Sequence, residues 1–198
     1  MSVAVIAMIR PMTRWSPDAR GRLVQSAMEL FAKRGYDQTT VAEIAERAGL
    51  TERTFFRHFA DKKEVLFGAN ELRDLLIAAV ADAPSSASPM EAVADGLLAA
   101  GRVFSDERRD YSRRRQSIIA ASAVLREREL IKLASIASAI ADALRQRGVP
   151  EPSASLSAEA GIAVFRVAFE QWVGAGNRLG WPELLRNSLA ELKILVAS

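Results

Sequence analysis

The sequence predicts an all-α protein, and three observations carry that expectation. Apolar residues recur at three- and four-residue spacings through most of the chain. No stretch sustains the two-residue alternation of a half-buried strand. The 11 glycines and 7 prolines fall mostly between the periodic segments, where they end helices rather than interrupt them. The 198 residues suffice for one or two domains with a sizeable core. A hydrophobic share of 49% and a charged share of 26% are ordinary for a water-soluble protein.

Residues 1–15 read as a disordered arm. The apolar run from Val3 to Ile9 lacks a preceding basic region and is too short for a signal peptide or a membrane span. Met12 offers an alternative start, so whether residues 1–11 belong to the native chain stays open. Arg10 and Arg14 would let such an arm reach a minor groove; a loose tail is the plainer reading. Ser16-Pro17 then opens a first helix, with a capping hydroxyl followed by proline at the first helical position. Leu23, Ala27, Leu30 and Phe31 form its apolar stripe, and Gly35 closes it.

Residues 40–62 hold two short amphipathic helices. Thr40 and Glu43 have the reciprocal capping-box spacing, and Val41, Ile44, Ala45 and Ala48 make one stripe. Gly49 ends that helix where a left-handed backbone favours glycine. Leu50 is placed to bury in the angle between the helices, and Thr51 to cap the second. There Phe55 and Phe59 share an inward face, leaving Glu52, Arg53, Thr54, Arg57 and His58 largely on the others. Two helices joined by a short Gly-containing turn form the helix-turn-helix pattern, whose second helix enters a major groove by its N-terminal end. A plain helical hairpin inside a bundle shows the same capping and periodicity. Charge favours the first reading: residues 1–63 carry 11 basic and 7 acidic side chains, the remainder 16 and 17. The whole net charge of +3 thus comes from the first third, which suits phosphate attraction. Asp61 is placed as the N-cap of a fourth helix, with Glu64 at the capping-box position and a first-turn lysine within reach of a phosphate.

In order and spacing, FAKRGY (31–36), TTVAEIAERAGL (39–50), TFFRHF (54–59) and DKKEVL (61–66) resemble the N-terminal domain of the TetR family of bacterial transcriptional regulators. The resemblance spans residues 20–67. It implies a three-helix DNA-binding domain at 16–63 and a helical ligand-binding and dimerisation domain at 64–198. It also implies roles by position. Thr40 would contact a backbone phosphate, and Thr51, Glu52, Arg53 and Thr54 would face base edges or nearby phosphates. Arg53 is suited to grip guanine O6 and N7, although a solvated charge paired with a carboxylate is the plain alternative. Arg57, on the exposed side of the same helix, and Phe56 are further candidate DNA contacts. His58 matches a histidine near a phosphate, and Lys62 a phosphate-contacting lysine. At position 56 the family has a tyrosine whose hydroxyl bonds a phosphate; Phe56 loses that bond.

Beyond the hairpin, Val65, Ala69, Leu72, Leu76 and Ala79 extend the fourth helix as one piece, and residues 83–89 form a linker. Met90, Val93, Leu97, Gly101 and Phe104 mark a fifth helix. The next, over about 107–123, carries Arg108, Arg109, Arg113, Arg114 and Arg115, which read as a solvated face, with an anion site for an acidic effector or a second phosphate contact as the alternatives. Leu130, Leu133, Ala137, Ile140 and Leu144 give a near-heptad seam ended by residues 148–152. Residues 156–176 bear two stripes: Ile162, Phe165, Phe169 and Trp172, and Val164, Val167, Ala168 and Ala175. Leu185, Leu189, Leu192 and Val196 line the last helix. Such excess apolar surface suggests self-association or a fuller monomeric core. The resemblance implies a homodimer through the last two helices, hence a palindromic operator on double-stranded DNA. It further implies a pocket for a small-molecule effector, with Phe104, Tyr111, Gln116, Phe165, Phe169 and Trp172 as candidate lining residues; plain core is their ordinary role.

Catalysis is not expected. His58 is the single histidine and lies in the second hairpin helix, and no HExxH motif or phosphate-binding glycine loop is present. The absence of cysteine excludes disulfides and thiolate metal sites and fits a reducing cytoplasm. No metal, cofactor or membrane association is expected. The reading is therefore a sequence-specific DNA-binding regulator, a repressor released by a small molecule. An activator, or a helical interaction module without DNA binding, is the alternative.

Overall fold

Two apolar clusters organise the chain, one around the hairpin and one around the longer helices that follow. The computed structural model describes residues 19–68 and 70–197. Among them every α-helix and 3-10 turn follows in the order α1 (Ala19–Arg34), α2 (Val41–Arg47), α3 (Glu52–His58), α4 (Glu64–Phe67), α5 (Glu71–Asp82), α6 (Pro89–Ala99), a 3-10 turn (Ala100–Arg102), α7 (Asp106–Ala120), α8 (Ala123–Gln146), α9 (Ser153–Val173) and α10 (Trp181–Ala197). The arm at 1–15, the helix start at Ser16-Pro17 and Ala69 lie outside the described residues.

The first cluster joins Leu23, Ala27, Leu30 and Phe31 of α1 to Ile44, Ala48, Phe55 and Phe59. Its core does not stop at residue 63. It continues through Val65, Leu66 and Phe67 of α4 and takes in Ile118, Ile119 and Leu125 from α7 and α8. The second cluster is built from α5, α6 and α8–α10, with Phe104 beside them.

The fourth helix departs from its expected form. It breaks after Phe67 and resumes at Glu71. A continuous helix would need the carbonyls of Leu66, Phe67 and Gly68 to accept from the next turn. They accept instead from cations on distant helices: Arg115 Nε to Leu66 O at 3.0 Å, Lys132 Nζ to Phe67 O at 2.6 Å, and Arg20 Nη2 to Gly68 O at 3.4 Å. The expected cap at Asp61 is half realised. Its carboxylate accepts from the N–H groups of Lys63 and Glu64 at 2.9 and 3.1 Å. The Glu64 carboxylate does not return the bond; it accepts from Arg128 Nε at 3.0 Å.

The arginine-rich face of α7 is not simply solvated. Arg109 donates to the carbonyls of Asn177 and Leu179 at 3.0 and 2.8 Å, and Arg113 Nε to Val173 O at 2.8 Å. These acceptors lie at and beyond the C-terminal end of α9, where the last turn leaves carbonyls without intrahelical donors. Arg147 does the same for α5, donating to Val80 O and Pro84 O at 3.0 and 2.8 Å. Other departures are local. Gly101 lies in the 3-10 turn and Phe104 beyond it, Ala175 lies past the end of α9, and Leu130 is exposed, so the α8 seam runs through Leu133, Ile136, Ala137, Ile140 and Leu144. Ser88 caps α6 in a capping box with Glu91, where proline at the first helical position already sets the backbone.

Candidate nucleic-acid interface

The turn between α2 and α3 sets how the second helix is presented. Gly49 has φ of +63°, and a Cβ there would come within 2.8 Å of Arg22 Nη2. Arg22 reaches from α1 to donate to the carbonyls of Ala48 and Gly49, closing the C-terminal end of α2. Ion pairs Arg47–Glu29 and Arg34–Glu43, the latter at 3.0 Å, brace α2 against α1. Thr40 caps α2 in the expected capping box: its hydroxyl accepts from Glu43 N–H at 3.3 Å, and Glu43 Oε2 accepts from Thr40 N–H at 2.9 Å. Those bonds, with the Thr40 hydroxyl and Arg34 adding to them, hold the Glu43 carboxyl below its ordinary range.

α3 is anchored on one face and open on the other. Phe55 is fully buried and Phe59 nearly so, their rings 5.4 Å apart. Thr51 caps the helix, its hydroxyl accepting from Thr54 N–H at 3.2 Å. Thr51, Glu52, Arg53, Phe56 and Arg57 are exposed, and Thr54 is half-buried. Arg53 and Arg57 are both exposed, and neither forms an ion pair with another described residue. Phe56 is 54% exposed, its ring edge-on to Phe55 with centres 5.5 Å apart.

Two residues sit differently from their expected surroundings. The Lys62 ammonium donates to Tyr36 O at 2.7 Å and Thr39 O at 2.8 Å, and lies 4.1 Å from the centre of the Tyr36 ring. It therefore ties down the α1–α2 loop, leaving one of its three N–H donors for anything else. Burial lowers its pKa below the ordinary lysine value, with Asp37 opposing the shift. His58 Nε2 is buried without a hydrogen-bond partner among the described residues, so that nitrogen turns inward rather than toward an external phosphate. The sequence reading missed Arg22 and Arg20, the latter 5.1 Å over the Phe59 ring, because their partners are long-range carbonyls and a ring rather than a local motif.

The six candidate pocket residues divide. Phe104, Phe165, Phe169 and Trp172 come together with Trp181 in one aromatic cluster, with Phe104 centred 5.6 Å from Phe165, 5.7 Å from Phe169, 5.6 Å from Trp172 and 4.5 Å from Trp181. Gln116 lies elsewhere, its amide donating to Glu129 at 3.5 Å, and Tyr111 is exposed on α7. Among the described residues no helix is long and apolar enough to cross a membrane, and no cluster of histidine or acidic residues could hold a metal ion.

A family model described as "Bacterial regulatory proteins, tetR family" matches residues 23–69, and a second described as "MftR C-terminal domain" matches residues 87–196. The second match alone covers more than half of the chain. The chain belongs to the TetR family. Among TetR-family relatives, it is similar to the HTH-type transcriptional regulator TcmR of Streptomyces glaucescens, 40% identical over 90 residues, which are 44% of this chain and 40% of TcmR. The chain thus spans less than half the length of that relative. Among solved structures it resembles NalD, the secondary repressor of the MexAB-OprM multidrug efflux pump in Pseudomonas aeruginosa, with TM-score 0.60 and 18% identity over 88% of this chain and 93% of NalD. It also resembles SmeT in complex with triclosan, with TM-score 0.60 and 21% identity over 87% of this chain and 90% of SmeT. At these identities the two structures show the TetR fold alone.

Proposed function

We propose that the chain is a sequence-specific DNA-binding regulator of transcription, working in the cytoplasm as a homodimer and releasing its operator when a small molecule enters the helical domain. One observation carries the reading. The α3 tip from Thr51 to Arg53 stands in solvent with Thr54 half-buried behind it, while Phe55 and Phe59 fix its orientation from inside the head. In this reading the head extends to residue 68 and the helical domain begins at residue 71. Arg53 reads a guanine, and Thr40, Thr51, Glu52, Thr54, Phe56 and Arg57 contact neighbouring base edges or backbone.

The dimer is supported by the outer face of α9 and α10, where Ala163, Val167, Gln171, Asn187, Glu191 and Leu195 line an apolar groove and Val196 is exposed. A two-fold pair of short recognition helices gains specificity by reading two half-sites of a palindrome. Repression by occupancy is the simplest output, in keeping with NalD, and an organic effector is in keeping with SmeT bound to triclosan.

The test selects duplexes from a random pool and compares wild type with Arg53→Ala. Enrichment of a palindrome, with Arg53→Ala losing preference at one base pair per half-site by about 1–3 kcal/mol, supports the reading. Enrichment of no sequence refutes it.

A further inference from the structure

Besides Ser122 Oγ, two buried donors in the helical domain have no acceptor among the described residues: Trp172 Nε1 and Arg109 Nε. They belong to adjacent groups, because the Arg109 guanidinium carbon lies 5.5 Å from the centre of the Trp172 ring. Folded interiors pair nearly every buried N–H, so two orphans on neighbouring side chains call for a cause. The neighbouring tryptophan shows the ordinary outcome: Trp181 Nε1 donates to Leu97 O at 3.0 Å. Nor is Arg109 free to turn away. Its terminal nitrogens are held by Asn177 O, Leu179 O and Asp106 Oδ1, at 3.0, 2.8 and 2.5 Å.

The surroundings of these donors are aromatic. Phe104 and Phe169 are centred 5.6 and 6.0 Å from Trp172. Trp172 and Phe104 are buried, whereas Phe169 is half-buried, so the cluster meets solvent at that ring. Phe169 stacks on Phe165 with planes 17° apart.

We propose that this site receives an aromatic effector carrying one oxygen acceptor. The ring replaces Phe169 against Phe165, and a carbonyl or carboxylate oxygen accepts from Trp172 Nε1 and Arg109 Nε. The proposal rests on the reading that the helical domain binds a small molecule, and it names the chemistry of that molecule. An analogue of equal size without the oxygen leaves both donors unpaired in a drier site, and sites built to hydrogen-bond an oxygen reject such analogues strongly.

The test measures, by calorimetry on the full chain, the binding of benzoate, acetophenone and toluene. The expected result is that benzoate and acetophenone bind at least about tenfold more tightly than toluene. Trp172→Phe, which keeps an aromatic ring and removes the donor, should bring all three within about twofold of one another. Equal affinities in the wild type, or no binding of any probe, overturn the proposal even if the variant fails to fold. A ranking that survives Trp172→Phe in a folded variant assigns that donor to buried water and overturns it too. Duplex selection on the same sample without probe keeps the two readings apart. A selected palindrome with no ranking among the probes sinks the effector class alone, and no selected palindrome sinks the DNA-binding reading.

Discussion

Replacing Lys62 with methionine separates a loop clamp from a phosphate contact. Methionine keeps an apolar stem over the Tyr36 ring but removes the ammonium, which now bonds the carbonyls of Tyr36 and Thr39 at 2.7 and 2.8 Å. A hydrogen bond from a charged donor contributes about 1.5–3 kcal/mol, and solvent access brings each of these toward the lower end. The cation over the ring at 4.1 Å adds about 0.5–1 kcal/mol at a site this exposed. Both carbonyls regain water in the variant, so the net loss should be about 2–3 kcal/mol. For a chain of this length that lowers Tm by roughly 5–10 °C, provided head and helical domain unfold together. Thermal unfolding followed by circular dichroism reads it directly. The salt dependence of duplex affinity reads the other role, since loss of one phosphate contact lowers the slope of log K against log salt by about 0.9. An unchanged Tm would refute the clamp; an unchanged Tm with a reduced slope would make Lys62 a phosphate ligand and nothing more.

Phe56→Tyr should tighten operator binding by roughly 1 kcal/mol, because the exposed ring would gain a hydroxyl for a phosphate; equal affinity in a gel shift would count against the placement of α3 in the groove. Val167→Glu, which puts a charge on the exposed face of α9, should convert the proposed dimer to monomer in sedimentation and abolish binding to the proposed palindrome, while the Tm measured at low concentration falls little. Lys132 provides a pH test. Burial, then Arg115 and Arg128, lower its pKa from 10.5 to about 8, so between those values the unfolded chain holds a proton that the folded chain has released. Its contribution to stability therefore rises as pH climbs from about 8 toward 10.5, and Lys132→Met should flatten the rise in unfolding free energy over that window. Identical pH profiles for the two proteins would show that Lys132 ionises freely.

The hairpin was legible because its signals are local. Thr40 with Glu43, Gly49, and Thr51 ahead of the Phe55 and Phe59 pair lie within four residues of the groups they cap or pack against, and each does what its spacing predicts. The break after Phe67 was not legible, since the cations that draw off its carbonyls come from Arg20, Arg115 and Lys132, roughly fifty to sixty-five residues away along the chain. The same distance hid the work of Arg109 and Arg113. A row of arginines on one helix looks alike whether it faces water or the frayed end of another helix sixty residues later. Lys62 and His58 were placed by resemblance, which carries residue type but not side-chain direction. The inward turn of His58 Nε2 and the two carbonyls on Lys62 depend on how the α1–α2 loop and the α3 terminus settle in this chain.

The two ends of α7 lie in different company. Ile118 and Ile119 are embedded under α1, whereas Arg109 and Arg113 grip the exit of α9. Its 15 residues make a rod about 22 Å long, too short and too regular to buckle. In the proposed dimer, a push on the α9 exit along that rod would reach the isoleucines beneath the first helix and change the angle between the two copies of α3.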